Sequence, residues 1–282
     1  RDFCLSRGLG DVYKRQKWLN ILNDDELSKN TLKRYRINIT SFITFVADKP
    51  INKDTIKQYK NKLEEEEHYL ANTSNNYLVT VNKFLKYLKL EKLCVKLFKI
   101  QRKDSIEEYI SYTDYHRLLR CSLVKNDTKT YMLIRILAET GIRVEEMKFF
   151  TIEDLSETII VKNKGKTRSI IVTKNLLAAI RKYIKKNHIR NGYIFPGRNN
   201  KPLSDSAIRK RLKKAAGYAK IKLSKVHPHS FRHYFAISYL ESNPDDIMTL
   251  CDLLGHSSLE TTRIYTRLSN KQKERRLRDV KF

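Results

Sequence analysis

The 282-residue chain is short of acidic residues, cysteine and long apolar runs, and each shortage removes a class of protein. Asp and Glu number 31 against 58 Lys and Arg, a formal charge of +27. Solubility needs nothing of that size. The excess suits a polyanion, because each phosphate that a cation contacts releases condensed counterions. The four cysteines, Cys4, Cys94, Cys121 and Cys251, are scattered, with no Cys-x-x-Cys and no histidine at zinc-ligand spacing. They read as reduced thiols of a cytosolic protein. No run of about 18 apolar residues is present to anchor the chain in a bilayer, and no signal peptide is visible. Nucleic acid is therefore the expected partner and no membrane is. What the chain does have is 40% hydrophobic residues, enough for a folded core.

Residues 1–16 fit no helical or strand period and read as a non-native or disordered leader. From Asn30, a candidate helix cap, Leu32, Tyr35, Ile39, Phe42, Ile43 and Val46 share one face of a helix that ends near Pro50. A second helix over 53–68 carries Ile56, Tyr59 and Leu63. A third over 74–90 carries Tyr77, Leu78, Val81, Phe84, Leu85 and Leu88. These stripes are core packing with Lys-rich outer faces, and predict an all-helical domain over residues 17–100. Residues 101–112 break the pattern as a linker. Over 113–282 helices are predicted at 113–123, 128–139, 174–187, 204–218, 229–242, 245–254 and 259–266. The stretch Thr158 to Thr173 differs: two β-branched runs around a Lys-Gly-Lys turn predict a hairpin. The chain is thus expected to be mainly α with a small β-hairpin, an all-helical domain followed by a mixed α/β one.

Four short segments of the second half carry residues able to do chemistry. In Thr140-Gly141-Ile142-Arg143-Val144-Glu145-Glu146, a helix ends at Gly141 and Arg143 opens the next, so Glu146 can brace the guanidinium from three residues on. In His227-Pro228-His229-Ser230-Phe231-Arg232-His233, His229 and Arg232 open a helix whose N-terminus favours an anion. Leu254-Gly255-His256 places a histidine just past a helix end, and Tyr265 follows nine residues later. Each segment by itself has an ordinary reading: a surface ion pair, a basic patch, a cap, one core tyrosine among 16. Together, two arginines, two histidines and a tyrosine make an anion clamp with a nucleophile. Bidentate cations and histidine donors stabilise the charge that builds on phosphate oxygens in the transition state of phosphodiester cleavage. A phenol, with its pKa of about 10, needs a positive site and a base. Clustered carboxylates that would hold catalytic cations are absent beside these motifs, so neither metal nor cofactor is expected.

In order and spacing, Arg143 in TGIRVEE, His229 and Arg232 in HPHSFRH, His256 after Leu-Gly, and Tyr265 in LETTRIY resemble the signature of the tyrosine recombinase, or phage integrase, family. The early segment LSKNTLKRYRINITSFITFV resembles that family's helical core-binding domain, so the resemblance covers about residues 17–282. It implies a SAM-like core-binding domain and a catalytic domain of the tyrosine recombinase type. It also implies that Arg143 and Arg232 clamp the scissile phosphate, that His229 assists proton transfer, that His256 donates to a phosphate oxygen and that Glu146 braces Arg143. Tyr265 would attack, leaving a 3′-phosphotyrosyl link and a free 5′-hydroxyl. The family's hairpin lysine, the general acid for that hydroxyl, would be Lys164 or Lys166. Lys164 matches the family's Lys-Gly pair, although the turn is one residue shorter than the commonest form.

The expected activity is metal-independent site-specific recombination, first for integration and excision of a mobile element, second for chromosome-dimer resolution of the Xer kind. A type IB topoisomerase shares the chemistry without pairing sites. A DNA-binding protein with a decayed site is the non-enzyme alternative, disfavoured because every signature position is filled. Expected partners are double-stranded DNA with inverted-repeat core sites, three further copies of the chain in a tetramer, and an excisionase or other accessory protein. The expected location is the bacterial cytoplasm, at the nucleoid. The tail 270–282, with Leu277, Val280 and Phe282 at near-helical spacing, is expected to dock on a neighbouring protomer.

Overall fold

The computed structural model describes residues 9–47, 49–65, 68–100, 109–163, 166–256, 258–266 and 278. It is mainly helical with one two-stranded sheet, and its contacts divide the chain into two units, Arg1–Arg102 and Lys103–Phe282. Among the described residues, no helix is long and apolar enough to cross a membrane.

The first unit is built from α1 (Leu9–Asp24), α2 (Lys29–Val46), α3 (Lys53–Glu65) and α4 (Ala71–Tyr87). The predicted apolar faces meet in one core of Ile39, Phe42, Ile56, Tyr59, Leu63, Leu78, Val81, Phe84 and Leu85, all nearly inaccessible. Three features differ from expectation. Helix α1 begins at Leu9, inside the supposed leader, and Trp18 and Leu19, just past its middle, anchor it in this core. Trp18 stacks on Tyr35 at 5.9 Å and meets Phe84 edge-on at 5.3 Å. The cap of α2 is Ser28, whose hydroxyl accepts from the Thr31 amide, and not Asn30. Helix α4 starts at Ala71, three residues early. Beyond α4 two side-chain amides stitch down the extended chain: Asn82 exchanges bonds with Val95, and Asn75 with Phe98.

The second unit holds α5 (Tyr112–Val124), α6 (Thr128–Thr140), strands β1 (Thr158–Asn163) and β2 (Lys166–Ile171), α7 (Lys174–Lys186), α8 (Asp205–Tyr218), α9 (Pro228–Ser242), α10 (Ile247–Leu254) and α11 (Leu259–Thr262). Helix α6 is its axis: Met132, Leu133, Ile134, Ile136 and Leu137 are buried, and α5, α7, α8 and α9 pack around it. Ser111, inside the predicted linker, opens α5 with a capping box to Asp114. The hairpin forms as predicted, antiparallel with Thr158 opposite Ile171 and Asn163 opposite Lys166. Alternate residues Ile159, Val161 and Ile170 face the core. Arg143 does not open an α-helix. It precedes a 3-10 turn, Val144–Phe149, as its N-cap.

Candidate active site

Two helix ends shape the site. Helix α6 stops at Gly141 and α10 at Gly255, both in the left-handed conformation (φ 61° and 60°). Neither position has room for a side chain: a Cβ on Gly141 would lie 2.6 Å from the Phe235 ring, and one on Gly255 would overlap Arg168. The carbonyls freed at these ends are the acceptors that hold the arginines. Arg232, 1% exposed, donates to Gly141 O at 2.7 Å and Leu254 O at 2.5 Å. Arg143 donates to Gly255 O at 3.2 Å. Helix C-termini are negative ends, so both guanidiniums sit on favourable dipoles.

Glu146, also 1% exposed, is shared. Its carboxylate accepts from the Arg143 backbone amide at 2.8 Å and the Arg143 side chain at 3.3 Å. Arg168 on β2 grips it harder, at 2.5 and 3.2 Å, while donating to Leu253 O at 2.6 Å. Burial pushes the Glu146 carboxyl up. The Arg168 bonds, the Arg143 amide and both cations outweigh that and hold it below the ordinary value. Arg168 was not a sequence candidate. It lies 22 residues from Glu146, and the hint it offered was a cation at an inward-turned place on the second strand.

The histidines and the tyrosine complete the cluster. His256 pairs its Nδ1 with the Thr262 hydroxyl at 2.8 Å. Burial, then Arg232 and Arg143, hold it down to about 4. His229 is lowered by burial and by Arg232, His227 and Arg143. Both are therefore neutral hydrogen-bonding groups at pH 7. Tyr265, in a 3-10 turn after α11, is 8% exposed. Its phenol bonds His233 Nδ1 at 3.0 Å. Burial raises its pKa, against the pull of Arg232 and Arg143. Burial and neighbouring cations also lower Arg232, to about 10. The free site is short of negative charge.

In front of this cluster opens a cavity of about 650 Å³, with Arg143, Glu146, Arg168, Arg209, His229 and His256 in its wall. Arg209, on α8, was also missed, because nothing local distinguishes it from the other basic residues of that helix. The described residues thus bring together Arg143, Glu146, His229, Arg232, His256 and Tyr265 from four stretches of sequence. Such a set can bind a phosphodiester through guanidinium and imidazole donors and present it to a phenol. Lys164 lies outside the described residues, as do 270–277 and 279–282 of the tail. Among the described residues, no group of three or more His, Cys, Asp or Glu is placed to hold a metal ion.

Residues 102–272 match the phage integrase family, and residues 16–92 the phage integrase N-terminal SAM-like domain. A tyrosine recombinase of Agathobacter rectalis is 34% identical over 161 residues, 53% of this chain and 51% of that protein, so this match spans about half that relative's length. The tyrosine recombinase XerA of Pyrococcus furiosus is 27% identical over 252 residues, 86% of this chain and 85% of that protein. In fold, the chain is similar to the Tn1549 transposon integrase solved with transposon right end DNA, with a TM-score of 0.70 at 17% identity, covering 95% of this chain and 98% of that one.

Proposed function

The chain belongs to the phage integrase family, the tyrosine recombinases, and from that premise we propose that it is a site-specific recombinase that cuts and rejoins DNA through a 3′-phosphotyrosyl link at Tyr265. One observation carries the reading: Arg143, His229 and His256 line one cationic cavity, and the buried Arg232 and Tyr265, electrostatically coupled to each other and to Arg143, complete a cluster drawn from more than 120 residues of sequence. Arg143 and Arg232 neutralise the scissile phosphate. His256, neutral and facing the cavity, donates to a phosphate oxygen as charge develops, and His229, in the same wall, assists proton transfer. Tyr265 attacks and the 5′-hydroxyl leaves, protonated by a lysine of the hairpin turn, Lys164 before Lys166. No step calls for a metal.

The DNA partner is a pair of core sites with inverted repeats, held by four copies of the chain, with an accessory protein such as an excisionase setting direction. For the biological role, integration and excision of a mobile element is the first reading. The near-full-length likeness to a protein named XerA favours the second, resolution of chromosome dimers. Recombination assayed between element ends, and separately between sites near the replication terminus, distinguishes them.

The test uses core sites selected for binding from a pool of random-sequence duplexes, then nicked to trap the covalent complex. Tyr265→Phe abolishes the protein–DNA adduct and leaves DNA affinity within a few-fold, in the presence of a chelator as in its absence. An adduct that persists in the Phe variant names a different nucleophile.

A further inference from the structure

The family signature singles out one histidine of α9 for proton transfer, His229, yet a different one touches the phenol. His229 faces the cavity. His233, one helical turn further along α9, has its ring 4.4 Å from that of His229 and its Nδ1 3.0 Å from the Tyr265 oxygen. Tyr265 is 8% exposed and its phenol oxygen lies within hydrogen-bond distance of His233 Nδ1, which makes that nitrogen the group placed to receive its proton.

We propose that His233 is the base that takes the Tyr265 proton in strand cleavage and returns it in religation; the proposal rests on the reading of Tyr265 as nucleophile. With its own proton on Nε2, His233 offers Nδ1 to the phenol O–H. The proton moves to Nδ1 as the phenol oxygen bonds to phosphorus and the bond from phosphorus to the 5′ oxygen breaks, that oxygen taking a proton from a separate acid. In religation the 5′-hydroxyl attacks phosphorus and returns its proton to the conjugate base of that separate acid, the phosphorus–phenol bond breaks, and His233 hands its proton back to the phenol oxygen.

The surroundings make this base conditional on substrate. Burial first, then His229, His227 and Arg232, hold the His233 pKa down to about 4. So weak a base leaves the phenol protonated and inert in the free protein. A phosphodiester seated against Arg143, Arg232 and the neutral His229 adds negative charge beside the two guanidiniums and raises the basicity of the His233 imidazole. The same arginines stabilise the phenolate. The nucleophile is therefore armed by the DNA it will cut, and idle without it.

The experiment compares wild type, His233→Asn and His233→Phe for single-turnover adduct formation on the nicked selected duplex, with DNA affinity and thermal unfolding measured in parallel. Each variant is then repeated with a polyfluorinated tyrosine at position 265, whose phenol ionises near neutral pH and needs little help from a base. The expected result is a fall of about 100-fold or more in cleavage rate, with affinity kept, and recovery of most of that loss by the fluorinated phenol. Two variants of different shape are used so that a folding defect in one leaves the other to decide. Cleavage at the wild-type rate in either folded variant overturns the proposal, and so does a loss that the fluorinated phenol does not recover, which marks His233 as packing. If wild type itself forms no adduct through Tyr265, the underlying reading of the nucleophile fails first.

Discussion

The two units bury polar groups to different ends. In Arg1–Arg102 the buried polar residues Asn38, Thr55, Ser74, Asn75 and Thr80 are all neutral, and the unit's own backbone and hydroxyls satisfy them: Asn38 donates to Thr80 and Asn76 O, Asn75 spans to Phe98. In Lys103–Phe282 the buried set includes Glu146 and Arg232, with Arg143 and Arg168 beside them. A neutral amide is fully answered by a carbonyl. A guanidinium tied to two carbonyls is hydrogen-bonded but not neutralised, and one carboxylate shared by two arginines leaves the cluster positive. A buried charge is costly unless paired. The first unit spends its buried polar groups on shape. The second keeps an uncompensated field where a phosphate fits.

The largest expected effect falls on the second unit. Arg232→Ala lowers adduct formation by about 1000-fold, the scale for losing a charge-stabilising donor in a closed site. It also strands the Gly141 and Leu254 carbonyls, at a cost of about 1–3 kcal/mol in urea unfolding. Arg232→Lys restores charge but not the two-pronged bond, and recovers little cleavage. Cleavage that survives either change would erase the contrast between the units.

The next effect is confined to the first unit. Leu78→Ala opens a hole in its apolar core and destabilises it by about 2–5 kcal/mol. Amide hydrogen exchange should quicken across 29–95 and stay unchanged across 112–262. Equal quickening in both would mean that the units do not hold their cores separately.

The smallest is a slope with pH. An unfolded histidine titrates near pH 6.5. In the second unit burial and cations hold His256 and His233 down to about 4, and lower His229 and His227 as well. Between pH 6.5 and 4 the unfolded chain therefore takes up protons that the folded unit refuses. The stability these sites contribute is whole above pH 6.5 and drains away as pH falls towards 4. The first unit carries a single histidine, the exposed His68. Exchange at pH 7 and pH 5 should show the second unit loosening and the first holding, and His256→Asn should flatten the slope.

How far the sequence could be read follows the same division. The first unit's faces were legible because α2, α3 and α4 each bury one side, so spacing and burial agree at Ile39, Phe42, Ile56, Leu63, Leu78 and Leu85. Its α1 was not, because the first half of the helix, LGDVYKRQ, offers few apolar residues and Trp18 and Leu19 come only past its middle. In the second unit the motif residues Arg143, His229, Arg232, His256 and Tyr265 were readable as local patterns, and the hairpin from its β-branched runs. The contacts between segments were not. Arg168 reaches Glu146 across 22 residues, and His233 reaches Tyr265 across 32. Side chains that become partners only when the chain has folded leave no periodicity behind.

The central claim is that Tyr265 is where protein and DNA become covalently joined. The most direct measurement digests the trapped complex with protease and nuclease and locates the nucleotide by mass spectrometry. A 3′-phosphonucleotide on the peptide containing Tyr265, carried by the phenol oxygen, is the predicted result. A nucleotide on any other residue, or cleaved DNA with no protein attached, would contradict the account.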